Sequence, residues 1–318
     1  MFLQSFSVTA VGISQILLLG AVGYFLMKND FLGDTCLITI SRLSMEITLP
    51  AMIFCQLTRD FSFSAYPHWW AFPVVSIVVT VIGLVVGGMF LGFFKGRQHK
   101  MQFLSLIAFQ NSGFLPIALV AALLPAQQVN TMFIYLFLFL LGFNLVMFSL
   151  GVYLLTFSKE TKFEIQSLLS VPVLATILSL FLVAGGMGKS VPEFIYKPLK
   201  MLGDCTIPLA MLVVGGNLAQ IRAHHIRKRA MALVSLAKLV ILPLVGLGIC
   251  AFFKLPHLVG LLFVLQLAVP SAVTSSVIVR QYDKEDILLS QGIFVTHVLS
   301  IITIPVFLSL YFTLCMLQ

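Results

Sequence analysis

Polar positions are sparse along this 318-residue chain and recur at intervals, leaving apolar runs between them. Each run is long enough to cross about 30 Å of hydrocarbon. Ten are predicted as helices, near residues 8–27, 35–57, 68–94, 102–124, 130–157, 165–187, 195–219, 229–253, 257–280 and 287–315. Short polar joints link them. The pattern predicts an all-α membrane protein of about ten transmembrane helices. The first run has no basic region before it and no small-residue cleavage site after it, so it is expected to stay as the first span.

Two runs carry one polar pattern, 158 positions apart (208 minus 50). Arg42, Glu46, Thr48 and Pro50 recur as Lys200, Asp204, Thr206 and Pro208. A charge at the bilayer centre costs roughly 2.5 to 3.5 kcal/mol on insertion scales and a helix-interior proline about 3 kcal/mol, so such a set seldom accumulates by drift. One unit used twice divides the chain into residues 1–158 and 159–318. With about five spans in each half, an odd number, the second half enters the membrane upside down. Two inverted five-helix repeats let gates exchange roles around a central site, the geometry of alternating access.

The fourth and ninth runs are interrupted. Gln110-Asn111-Ser112-Gly113-Phe114-Leu115-Pro116 combines a proline, a glycine and two side chains able to bond freed backbone groups. Gln266 to Ser276, with Pro270, Ser271 and Thr274, is its counterpart. Unpaired backbone at bilayer depth persists only against protein or a watery cavity, so two broken helices crossing near the midplane predict a polar pocket. The positive ends of their half-helices favour an anion. Candidate substrate-binding residues are Asn111, Ser112, Gly113, Gln266, Ser271 and Thr274, with Pro116 and Pro270 shaping the crossing.

Composition and charge sharpen this picture. Hydrophobic residues make up 60% of the chain and charged residues 9%, against about 25% charged in globular domains, which excludes a soluble core. The joints at Lys95, Arg97 and Lys100 and at Arg222, Arg227, Lys228 and Arg229 are the richest in bases, and so are expected to face the cytoplasm. Both termini then lie outside, in a protein integral to the cell (inner) membrane. The net charge of +8 is read as a topology signal, and the scattered bases argue against nucleic acid as a partner. His224 and His225 read as part of a solvated basic loop.

Glu46 and Asp204 are candidates for binding a coupling proton or sodium ion. Arg42 and Lys200 each precede their acid by four residues, so both pairs can instead close salt bridges that serve assembly alone. Lys238, near Pro243 in the eighth run, can neutralise a carboxylate substrate, pair with Asp204 or snorkel to an interface. Pro50 and Pro208 complete the coupling or gating candidates. Asn144 and His297 are expected to make helix-to-helix hydrogen bonds. The five cysteines show no ligand spacing and read as packing residues, so no metal site and no cofactor are predicted.

At these residues the chain resembles the auxin efflux carrier (AEC) family, in a compact bacterial-type form distantly similar to the plant PIN carriers. The resemblance spans essentially the whole chain. It rests on Thr48-Leu49-Pro50, the Asn111 to Pro116 break, Ile207-Pro208-Leu209-Ala210 leading to Gly215-Gly216-Asn217-Leu218, and Ala268-Val269-Pro270-Ser271-Ala272 running on to Tyr282-Asp283. It implies ten helices in two inverted five-helix repeats, with crossed fourth and ninth helices holding an organic anion. By position, Asn111 and Pro116 match the first crossover and Pro270 the second.

Enzyme chemistry finds no residues to carry it. Tyr282-Asp283 and Gly203-Asp204 stand in the reverse order to an intramembrane aspartyl protease, and HExxH, GxSxG and a glycine-rich phosphate loop are absent. The expectation is a secondary active transporter for a small mono- or dicarboxylate, with the organic anion and the lipid bilayer as partners. A bile-acid-like or auxin-like aromatic anion, a channel or ligand sensor on the same fold, and a homodimer stay open as alternatives.

Overall fold

The computed structural model describes residues 2–156, 169–220, 227–282 and 287–316. Among them the chain is helical, with no strand beyond a single isolated bridge between Gln110 and Ser271. The first half comprises α1 (Phe2–Lys28), α2 (Asp34–Leu43), α3 (Leu49–Asp60), α4 (Ala71–Met89), α5 (Arg97–Ala108), α6 (Phe114–Leu123), α7 (Ala126–Val146) and α8 (Val152–Thr156). The second comprises α9 (Val171–Ala184), α10 (Glu193–Asp204), α11 (Thr206–Gln220), α12 (Lys228–Leu236), α13 (Leu242–Phe253), α14 (His257–Ala268), α15 (Thr274–Gln281) and α16 (Ile287–Met316).

Joined end to end, these helices follow the ten expected runs. Seven described spans are long and apolar enough to cross a membrane, and Phe114–Leu123, Val171–Ala184 and His257–Ala268 are shorter apolar helices. Two of the short ones belong to the broken fourth and ninth runs. Within α7, Phe133, Phe137, Phe139 and Phe143 are buried, so this phenylalanine-rich stretch is packing surface.

Wide, π-type turns join α2 to α3 (Ser44–Thr48), α7 to α8 (Met147–Gly151) and α12 to α13 (Ala237–Ile241). Two have a proline as cause. Pro50 and Pro243 lack the N–H that would bond the carbonyls of Glu46 and Leu239, and the helix widens around the gap. In the third, the Ser149 hydroxyl donates to the Leu145 carbonyl at 2.5 Å and competes with the backbone ladder. In the second copy of the sequence pattern the helix breaks at Cys205, and Pro208 again follows an acid, Asp204, by four residues. In both halves the carbonyl deprived of its partner is therefore that of the acidic residue.

Small residues set the closest crossings. A Cβ on Gly215 of α11 would overlap the carbonyl of Gly20 in α1, and one on Gly83 of α4 would sit 2.6 Å from the Ala108 Cα. Close backbone approach replaces the hydrophobic driving force that is missing between helices in lipid. At one end of the molecule the two base-rich joints meet: Arg227 donates to His99 Nε2 at 2.7 Å, and Arg229 lies over the Phe93 ring. Arg222, His224 and His225 lie outside the described residues, as do Lys159, Lys162, Asp283 and Lys284.

Gly215→Val should drive α1 and α11 apart at a cost on the order of 3 kcal/mol. A marked fall in the thermal midpoint of detergent-purified protein is expected. Gly88→Ala, where an added Cβ meets nothing within 4 Å, should leave the midpoint level or slightly raised.

Candidate functional site

The candidate site is the place where the fourth and ninth spans break and cross. The first break runs from Phe109 to Gly113, because the Ser105 carbonyl takes the last helical bond, from the Phe109 N–H. The second runs from Val269 to Val273. Both are narrower than the sequence pattern implies. Pro116 falls in the first turn of α6, where no backbone donor is needed, and Gln266 belongs to the last turn of α14.

The peptide groups released by each break find partners in the other. Asn111 N–H donates to the Pro270 carbonyl at 2.8 Å, and Ala272 N–H donates to the Phe109 carbonyl at 3.0 Å. This antiparallel exchange is the bridge between Gln110 and Ser271. Side chains complete it. The Ser271 hydroxyl donates to Leu106 C=O at 2.7 Å, capping the last turn of α5, and Gln266 Nε2 donates to Ser112 C=O at 3.3 Å.

Helix α16 braces both breaks. Thr296 Oγ1 accepts from Ser271 N–H at 3.3 Å and donates to Ile293 C=O. His297 Nδ1 lies 2.8 Å from the same carbonyl, which assigns the proton to Nδ1 and leaves Nε2 to accept from Asn111 Nδ2 at 3.3 Å. His297 thus bonds from α16 to the broken segment of the fourth span rather than to another helix. Thr296 escaped sequence reading because a lone threonine in an apolar run has no distinguishing neighbour.

Asn111, Ser112, Gln266 and Ser271 are buried, whereas Gly113, Phe114, Val273 and Thr274 are half-buried. The accessible part of the crossing is thus the entry to α6 and to α15, the ends that carry positive partial charge. Gln110 Nε2, Gln266 Oε1, Ser105 Oγ and Ser275 Oγ are buried without a hydrogen-bond partner among the described residues. Buried polar atoms seldom stay unsatisfied, so these mark places for a ligand or ordered water.

Lys238 neither snorkels nor meets Asp204. It projects from the π turn between α12 and α13 into the interior, 1% exposed, and donates to Ile107 C=O at 3.1 Å beside the first break. The other ionisable candidates are elsewhere. Arg42 Nε lies 3.1 Å from Glu46 and Lys200 Nζ 2.8 Å from Asp204, and all four side chains are about half exposed or more. Glu46 and Asp204 each lie on an outward helix face paired within their own helix, the geometry of the salt-bridge alternative. No group of three or more His, Cys, Asp or Glu able to hold a metal ion occurs among the described residues.

A family model described as membrane transport protein matches residues 9–168 and 155–308. The chain belongs to this family, that of the auxin efflux carriers. Its relatives include an uncharacterized transporter of Methanothermobacter thermautotrophicus, 24% identical over 296 residues, covering 92% of this chain and 94% of the relative. An uncharacterized transporter of Methanocaldococcus jannaschii is 24% identical over 295 residues, at 91% and 94% coverage. The plant protein PIN-LIKES 7 of Arabidopsis thaliana is 20% identical over 364 residues, at 89% and 91% coverage. The family places the crossing in a membrane transport protein.

Within this transport protein, Ser271→Ala should cost about 1 kcal/mol by removing the cap on α5. A measurable drop in thermal midpoint is expected. Ser14→Ala, which deletes an exposed bond within α1, should produce none.

Proposed function

We propose that this protein is a secondary active transporter that moves a small organic anion, a mono- or dicarboxylate, by alternating access. The observation that carries the reading is the half-buried entry to α6 and α15, formed by Gly113, Phe114, Val273 and Thr274, together with the buried Gln110 Nε2 and Gln266 Oε1, which lack partners among the described residues. Two helix N-termini attract negative charge, and the unpaired Gln110 donor can bond a carboxylate oxygen. The repeated pattern of Arg42 to Pro50 and Lys200 to Pro208 supports two inverted halves, 1–158 and 159–318, rocking about this point. In this reading Gly113 and Thr274 meet the substrate, and Asn111, Ser112, Gln266, Ser271, Pro116 and Pro270 hold the crossing open for it. The base-rich end where Arg227 meets His99 faces the cytoplasm of a cell membrane, with both termini outside.

A thermal-shift screen of purified protein against carboxylates tests the substrate class, because a ligand of the folded state raises its apparent stability. Small mono- and dicarboxylates are expected to raise the midpoint. A response confined to cations or neutral amphiphiles would remove the anion from the reading. Thr274→Val should weaken the stabilising carboxylate by about tenfold or more, the scale of one hydrogen bond to a charged group, while leaving the ligand-free midpoint in place.

A further inference from the structure

Lys238 is a buried amine, and the described elements its turn packs against bring it no acid. Its turn packs against α4, α5, α12, α13, α14 and α16. No carboxylate occurs on any of the six. Their ionisable groups among the described side chains are Arg97, His99 and Lys100 in the first turn of α5, Lys228 and Arg229 opening α12, Cys250 on α13, His257 opening α14, and His297 and Tyr311 on α16. The bases of α5 and α12 lie at the base-rich end, and the His257 carbonyl accepts from the Tyr311 hydroxyl. Cys250 Sγ donates to Gly260 C=O at 3.6 Å, and His297 Nε2 is taken by Asn111.

What holds Lys238 is the negative end of a half-helix. Ile107 is the penultimate residue of α5, and its carbonyl belongs to the group left without helical donors at a C-terminus. A single carbonyl is a thin shell for an ammonium that has three protons to donate. At the offset of the sequence repeat, the first-half equivalent is Thr80 (238 minus 158). It is buried, and its hydroxyl is spent on Ser76 C=O within α4. One side of the crossing therefore carries an ionisable cation and the other does not.

We infer that Lys238 is the coupling group of the carrier: its amine takes up one proton with each anion bound at the crossing and gives that proton up when the anion leaves, without sodium. This rests on the anion-carrier reading above. The neutral amine accepts a proton through its nitrogen lone pair, and the ammonium is balanced by the incoming carboxylate. On release the N–H bond breaks and the proton departs with the anion to the other side. The empty carrier returns with a neutral lysine, so a buried charge never crosses unpaired. In the loaded state the ammonium occupies the carbonyl end of α5.

Proteoliposomes test this with radiolabelled malonate and malate, protein-free liposomes as the blank, sodium replaced by choline, and the potential clamped with potassium and valinomycin. Wild-type protein should accumulate a probe up to about tenfold for an imposed gradient of about one pH unit, acid outside. Lys238→Arg keeps a cation that does not titrate in this range, so it should retain exchange of labelled for unlabelled probe yet lose accumulation driven by the pH gradient. Lys238→Gln should lose accumulation too. If Lys238→Arg accumulates the probe as the wild type does, the lysine is a structural cation and the inference is overturned. A sodium requirement in the wild type overturns it equally, even if Lys238→Gln cannot be purified. Failure of the wild type to exchange either probe overturns the small-carboxylate reading beneath it, a different result from exchange without proton coupling.

Discussion

Inside hydrocarbon a peptide N–H or C=O has no water to turn to, and an interrupted helix exposes several of each. Here the interruptions in the fourth and ninth spans answer one another: Asn111 N–H meets Pro270 C=O, and Ala272 N–H meets Phe109 C=O. Neither break is tenable alone. Because each supplies what the other lacks, two segments far apart in the chain are held in register. The neighbouring polar side chains then have a place to act: Ser271 and Lys238 on the carbonyl end of α5, and Thr296 and His297 bracing from α16.

Charge is distributed to suit that arrangement. The two acid–base pairs of the repeated pattern face outward, each closed within its own helix, and sit apart from the crossing. The buried Lys238 amine has a carbonyl for a partner, and no carboxylate occurs on the described elements its turn packs against. An intramembrane charge facing out and one facing in differ in what can satisfy them. The first is met by its neighbour four residues away, whereas the second is met by the carbonyl end of a half-helix.

Much of the architecture was legible in the residues. Apolar runs of spanning length, joined by short polar segments, placed the helices, and Pro116, Gly113, Pro270 and Ser271 placed the two interruptions within a few residues. Their limits were harder to read. Proline is as comfortable in the first turn of a new helix as in a loop, so Pro116 marked the neighbourhood of the break and not its end. The wide turn at Met147–Gly151 gave no warning, since it arises from a serine hydroxyl competing for a carbonyl rather than from a proline.

Sequence by itself determined that this is a helical membrane protein with a polar pattern used twice and two interrupted spans, because hydrophobic length and missing backbone donors are properties of local sequence. It also determined which side chains pair along one helix, as Arg42 with Glu46 and Lys200 with Asp204, because four residues make one turn. Only the tertiary structure decided which way each helix faces. That choice put Glu46 and Asp204 outside and Lys238 inside, and it joined Asn111 to His297, 186 residues away. Part of the reason is physical: apolar spans such as α1, α7 and α16, nearly uniform around their circumference, carry little signal for rotation about their own axes. Packing against neighbours, set here by close contacts such as Gly215 on Gly20, selects the angle.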